Sequence, residues 1–186
     1  MLKSKIPPSA AYKRGALNQL IMSTLVVLCL ASTVSNSLAA DSEIKSAISL
    51  HRKVHIVLAN GRRFDVVSEQ DQLGVEDIKV AQDGRTVGWL VRYSDSNGAS
   101  FDSLTGKLVI WREGKVLHRF DTDQVFYSWS FFNNGIQVGY HTGPVHGEKA
   151  SHCELHNVSD GVLVETWDGD LYGDAPRPDW AALLNR

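Results

Sequence analysis

The sequence predicts an all-β domain built from antiparallel hairpin repeats, with short helices at its two ends. Three observations predict it. A ten-residue pattern occurs twice, VAQDGRTVGW at 80–89 and FFNNGIQVGY at 131–140, aligning Gly84 with Gly135, Val87 with Val138 and Gly88 with Gly139. From Val54 onward apolar residues alternate with polar or small ones, the period of a half-buried strand. Five glycines at turn positions, Gly61, Gly84, Gly114, Gly135 and Gly161, punctuate that alternation, and alternate members are 53, 51 and 47 residues apart. The repeating unit is therefore two hairpins, or four strands, in about fifty residues.

Asp41–Lys53 carries a weak helical pattern, with Ser42 as a cap and Ile44, Ala47, Ile48 and His51 on one side. Val54, Ile56 and Leu58 then alternate up to Asn60-Gly61, a type I′ signal because both central residues of that turn need positive φ. Arg62–Val67 returns, giving a half-unit over 54–67, and residues 68–77 read as a polar connector. The second hairpin is Ile78–Gln82 and Thr86–Arg92 around Asp83-Gly84. Val87, Trp89 and Val91 share one face, and Gly88 on the other admits a close neighbour. Residues 93–106 are rich in Ser, Asn, Asp and Gly and read as an exposed loop. Lys107–Arg112 and Lys115–Phe120 flank Glu113-Gly114, and Val125–Phe132 and Ile136–Thr142 flank Asn133-Asn134-Gly135. Alternation places Val125, Tyr127, Trp129 and Phe131 on one core face. His152–Val158 and Val162–Trp167 form the last hairpin around Ser159-Asp160-Gly161. A short helix over Asp179–Leu184 is placed to cover an edge or end of the sheets.

The first forty residues carry Lys3, Lys5, Lys13 and Arg14, no acidic residue, an apolar run Leu20–Ala31, and Ser37 and Ala39 before Ala40. That is the layout of a secretory signal peptide cleaved after Ala39. The run is shorter than the roughly 20 apolar residues of a membrane span. The expected domains are thus a signal peptide, 1–39, and one exported β-rich domain, 40–186. Its formal charge of −6, against −2 for the whole chain, and the lack of a basic run argue against nucleic acid and anionic membranes as partners. One cysteine, Cys153, remains, so no internal disulfide forms and burial must supply the stability.

Segments 78–120 and 125–167 resemble blades of WD-type and TolB-type β-propellers. The residues that carry the likeness are Ala81-Gln82-Asp83-Gly84-Arg85 with Val87-Gly88-Trp89, then Leu108-Val109-Ile110-Trp111 with Gly114-Lys115. In the second copy they are Trp129-Ser130-Phe131-Phe132-Asn133-Asn134-Gly135 with Val138-Gly139-Tyr140. The resemblance implies propeller-blade-like sheets. A closed propeller needs at least four blades, and this chain supplies about two and a half. The sheets must therefore pack as a compact β-sandwich, remain a capped fragment, or complete a ring through further copies; two sheets with aromatic inner faces favour the compact monomer.

Ligand-type side chains are densest between His141 and His156, with His141, His146, His152, His156, Cys153, Glu148 and Glu154. In a strand, His152, Glu154 and His156 share a face, with Cys153 and Leu155 on the other. Imidazoles on adjacent strands can hold Zn or Cu, which makes His141, His146, His152 and His156 the candidate metal set. The same residues also suit the polar outer face of an edge hairpin. Cys153 reads as a small buried hydrophobe. No Gly-x-Ser-x-Gly, phosphate-binding glycine loop, His-Glu-x-x-His or Cys-x-x-Cys is present, so no catalytic residue and no organic cofactor is assigned.

The expected function is an exported, periplasmic or secreted, binding or accessory module that contacts a protein partner or a further copy through loops 93–106 and 143–151. Tyr93, Phe101 and His146 are its candidate contact residues, because rigid hairpins present variable loops. The alternatives are a metal-binding protein using the His141–His156 cluster and a hydrolase whose site the repeats conceal.

Overall fold

Alternation and turn chemistry produce eleven strands in the computed structural model, which describes residues 42–93, 104–144, 150–170 and 176–184. The strands are β1 (Ile44–Leu50), β2 (Lys53–Leu58), β3 (Arg63–Val66), β4 (Gln72–Val80), β5 (Thr86–Tyr93), β6 (Leu104–Arg112), β7 (Lys115–Asp121), β8 (Val125–Phe132), β9 (Gln137–Gly143), β10 (Ala150–Asn157) and β11 (Leu163–Asp170). One helix, α1 (Asp179–Leu183), follows. They form three antiparallel sheets in which sequence neighbours are spatial neighbours: β1-β2-β3, β4-β5-β6-β7 and β8-β9-β10-β11. The two four-stranded meanders are the two repeats expected at 78–120 and 125–167. Contacts divide the chain into Met1–Asp41 and Ser42–Arg186, and the expected signal peptide lies outside the described residues.

Three local expectations are corrected. The segment expected to be a helix is strand β1, joined to β2 by His51-Arg52, both at positive φ (50° and 67°). A lone helix of this length is marginal in water, whereas pairing with β2 satisfies the same backbone. Residues 72–77, expected within a connector, are the first part of β4. At Asn60-Gly61 only Gly61 has positive φ (85°). Its N–H donates to the Leu58 oxygen at 2.9 Å, and Leu58 N–H donates to the Arg62 oxygen at 2.9 Å. This is the bulged three-residue turn rather than type I′. The type I′ geometry appears at Glu113-Gly114 instead (φ 52° and 92°).

The middle sheet is covered on both faces. Val87, Trp89 and Val91 of β5, with Val109 and Trp111 of β6, pack against Ile44, Val54, Ile56 and Leu58 of the first sheet. On the other face Leu90, Leu108 and Ile110 meet Phe126, Trp129, Val138 and Tyr140 of the third. The unbroken run Leu108-Val109-Ile110-Trp111 is thereby explained, since a strand buried on both faces has no polar side. Gly88 faces the third sheet, as expected for a close approach: a β-carbon there would lie 2.7 Å from the Trp129 ring. The aromatic strand β8 departs from simple alternation. Its pairing with β9 slips between Phe126 and Ser128, so Phe126 and Trp129 point inward while Tyr127 is 53% exposed and leans on His141. A bulge adds one residue to one strand and reverses the facing of those beyond it.

The outer face of the third sheet is closed by α1, where Ala181, Leu184 and Trp180 cover Cys153, Trp167 and Phe132. The glycine turns lie at one end of the stack, and four of them rest on the preceding unit: Gly84 beside Glu43, Gly135 beside Ala81 and Asp83, Gly114 beside Phe64, Gly161 beside His118. Gly84 and Gly135 thus occupy equivalent places in successive units. The connections β1–β2, β5–β6 and β9–β10 leave from the opposite end.

Candidate functional site

Two polar clusters stand out against this apolar stack. The first follows from the register of β10 with β9 and β11. Glu154 lies opposite Tyr140, and His152 lies opposite Asp168. Alternation then places His152, Glu154 and His156 on one face, towards the edge of the middle sheet. Glu154 Oε1 accepts from His152 Nε2 at 2.8 Å, and Glu154 Oε2 accepts from His156 Nε2 at 2.6 Å and from the Tyr140 hydroxyl. His152 Nδ1 meets Asp168 Oδ1 at 2.6 Å, and His156 Nδ1 meets the Gly161 carbonyl at 3.0 Å. The His156 ring stacks on Tyr140 and packs 4.6 Å from the Phe120 ring of β7.

The hydrogen bond from His156, helped by Tyr140 and His152, outweighs burial and holds the Glu154 carboxyl at a pKa of about 2. Burial, reinforced by the neighbouring carboxylate, pushes the Tyr140 hydroxyl up. For His152, burial works against the charged ring, but Asp168 and Glu154 outweigh it and the pKa is raised. The Glu154 oxygens are thus already engaged by three side-chain donors. Chemically the cluster is a clasp joining β9, β10 and β11 where they meet β7.

The second cluster braces the end from which the longer connections leave. Glu69, between β3 and β4, accepts from Tyr93 at 2.7 Å, Lys107 at 2.5 Å and Arg119 at 2.9 Å. Lys107 also pairs with Asp121 at 3.2 Å. Burial opposes ionisation of Glu69, yet the bonds from Lys107, Tyr93 and Arg119 prevail and bring its pKa to about 2. Lys107 is pushed up, its own burial overcome chiefly by Glu69. Beside it, Gln72 Nε2 donates to the Arg52 carbonyl at 2.6 Å and Ser68 Oγ donates to the same oxygen at 3.0 Å, tying the β1–β2 turn to the same rim.

The structure separates the histidines expected to share a metal. His141 pairs with Cys153 and shares its face beneath α1, opposite to His152 and His156, because adjacent strands in register present paired residues on one side. His146 lies outside the described residues. Among the described residues no three His, Cys, Asp or Glu side chains are grouped to hold a metal ion. Of the candidate contact residues, Tyr93 is at the braced rim with its hydroxyl engaged by Glu69, while Phe101 and His146 lie outside the described residues. Glu69, Lys107 and Arg119 were not singled out from sequence, because nothing local links residues 69, 107 and 119. Asp168 is reached only through the register of β10 with β11, which shifts between Leu155 and His156.

Cys153 is fully buried, and burial pushes its thiol up to about 11. The Cys153 thiol of the native protein is therefore expected to resist a thiol reagent such as a dithio-nitrobenzoate at pH 8 and to react at once in denaturant. Fast reaction of the native protein would mean that α1 does not cover this face.

No protein-family model matches the chain, and no curated protein matches it in sequence. Among the described residues no helix is long and apolar enough to cross a membrane.

Proposed function

We propose that this chain is an exported, periplasmic or secreted, β-propeller-like binding module, and that it meets a protein partner through the end of the stack from which residues 94–103 and 145–149 depart. The observation that carries the reading is the contrast between the two ends. One end is made of short glycine turns, four of which, at Gly84, Gly114, Gly135 and Gly161, are seated on the unit before them. The other carries the longer connections on a rim fixed by Glu69 with Tyr93, Lys107 and Arg119. A rigid frame that presents variable connections at one end is the usual construction of a recognition surface. The likeness to propeller blades is supported by two successive four-stranded meanders stacked face to face. Export is supported by the basic, apolar and small-residue layout of 1–39.

The test is site-specific photo-crosslinking in the producing cell. A photoreactive amino acid in place of Phe101 is expected to give a discrete crosslinked species, and one in place of Asn134, at the glycine-turn end, is expected to give none. Equal capture from both ends, or none from position 101, would remove the reading. The amino terminus of the exported protein is expected at Ala40.

A further inference from the structure

We propose that the outer edge of β1 is a self-association surface, on which the β1 of a second copy pairs antiparallel so that two three-stranded sheets become one of six. The first argument is a missing strand. The turn of Gly114 rests on Phe64 of β3, and the equivalent turn of Gly161 rests on His118 of β7. This makes β3 the counterpart of β7, β2 of β6 and β1 of β5. The middle and third sheets each carry a further strand at the next position, β4 and β8, and among the described residues the first sheet has none. The edge left over is the one beside β1.

The second argument is the phase of the backbone. The pair Leu50–Lys53 closes the two-residue turn, so Leu50, Ile48 and Ser46 direct their N–H and C=O groups to β2, opposite Lys53, His55 and Val57. Ala47 and Ser49 therefore direct theirs away from β2. Two residues spaced by two, with Ile48 between them, form an arrangement that is its own complement under a two-fold axis. Ala47 of one copy exchanges both bonds with Ser49 of the other, and Ile48 faces Ile48 across the axis as a close non-hydrogen-bonded pair.

The third argument is apolar exposure at the same place. Ile48 and Leu50 are 57% and 50% exposed on the outer face of the first sheet, where with Val57 they line a shallow depression flanked by His55, Asp65 and Arg63. Pairing about Ile48 brings the apolar residues of both copies into one strip, a cross-strand contact of the kind that stabilises antiparallel sheets. A single short edge buries less than the roughly 1,600 Å² of a standard stable interface, so the association is weak and visible only at high concentration.

Sedimentation equilibrium of the purified protein, as the cell processes it, is the test. Between about 5 and about 500 µM the weight-average mass is expected to rise from that of one chain towards two. Ser49→Pro removes only an outward-pointing N–H, which an edge strand tolerates, and is expected to hold the mass at one chain while leaving the circular dichroism unchanged. Ile48→Glu, at a solvent-facing position, is expected to do the same and serves if the proline variant fails to fold. Leu163→Glu, on the exposed edge strand β11, is expected to change nothing. A wild-type protein that stays monomeric throughout, association that survives both β1 variants, or association lost with Leu163→Glu would overturn the proposal.

Discussion

Replacing Trp129 with alanine is expected to cost about 3–5 kcal/mol, the range for emptying a large aromatic site in a packed core. Trp129 is 1% exposed and fills the layer between the middle and third sheets, its ring end against Gly88 and Ile110. The reciprocal change is expected to fail for the opposite reason. A β-carbon at Gly88 would stand 2.7 Å from Trp129 Cη2 and 2.9 Å from Ile110 Cδ1, and the indole cannot bend away. Gly88→Ala should therefore destabilise by about 1–3 kcal/mol. The two sites are coupled by that one contact. In a Trp129→Phe background, where the colliding ring atom is gone, Gly88→Ala should cost about 1 kcal/mol less than in the native background. Urea unfolding of the four proteins measures the coupling. A cycle that closes with no interaction would mean that Gly88 and Trp129 do not meet, and the face-to-face stacking of the two sheets would have to be redrawn.

Glu154→Ala is expected to cost about 2–4 kcal/mol, because it leaves Tyr140, His156 and His152 without their shared acceptor in a partly buried place. The pH dependence distinguishes this from lost packing. The Glu154 carboxyl titrates at about 2 in the fold against 4.5 ordinarily, so its contribution is complete above pH 4.5 and is lost as pH falls through 2. Glu69 behaves in the same sense. His152 has the opposite sign: its raised pKa gives a contribution that is complete below pH 6.5 and is lost as pH rises through the folded value. Both parts of the His152–Glu154 pair are complete together between pH 4.5 and 6.5. Allowing for solvent screening at this partly exposed rim, the Glu154 share is about 1–2 kcal/mol. Thermal unfolding of the native protein should peak inside that window, and Glu154→Gln should flatten the acid side of the peak. An unchanged profile would mean that the clasp contributes nothing to the folded state.

Much of the fold was legible because the signals that carry it are local. Val87, Trp89 and Val91 alternate, and their shared face follows from the two-residue period of a strand whatever it packs against. The start of α1 and the limits of β8 fell where composition put them. The failures have equally specific causes. Ile44, Ala47 and Ile48 satisfy a helical period and a strand period over so short a stretch, and only the partner β2 decides between them. Strict alternation puts Tyr127 on the core face, since nothing in VFYSWSFF marks the slip at Phe126–Ser128. Proximity in sequence groups His141 with His152 and His156, whereas pairing with Cys153 turns it to the opposite face.

The polar clusters divide in the same way. His152, Glu154 and His156 were placed on one face by counting along a single strand. Tyr140 and Asp168 joined them only through the register of neighbouring strands. The meeting of Glu69 with Tyr93, Lys107 and Arg119 depends on where a loop lies over a sheet, for which a chain read residue by residue has no signal.

By itself, then, the sequence determined where the strands of the two four-stranded repeats run for most of their length and where they turn, since alternation and turn geometry act over a few residues. Tertiary structure decided which faces of the sheets meet and which histidine looks which way. Those outcomes depend on bulges, register and contacts between residues tens of positions apart, where the free energy belongs to the packed layers and to no segment alone.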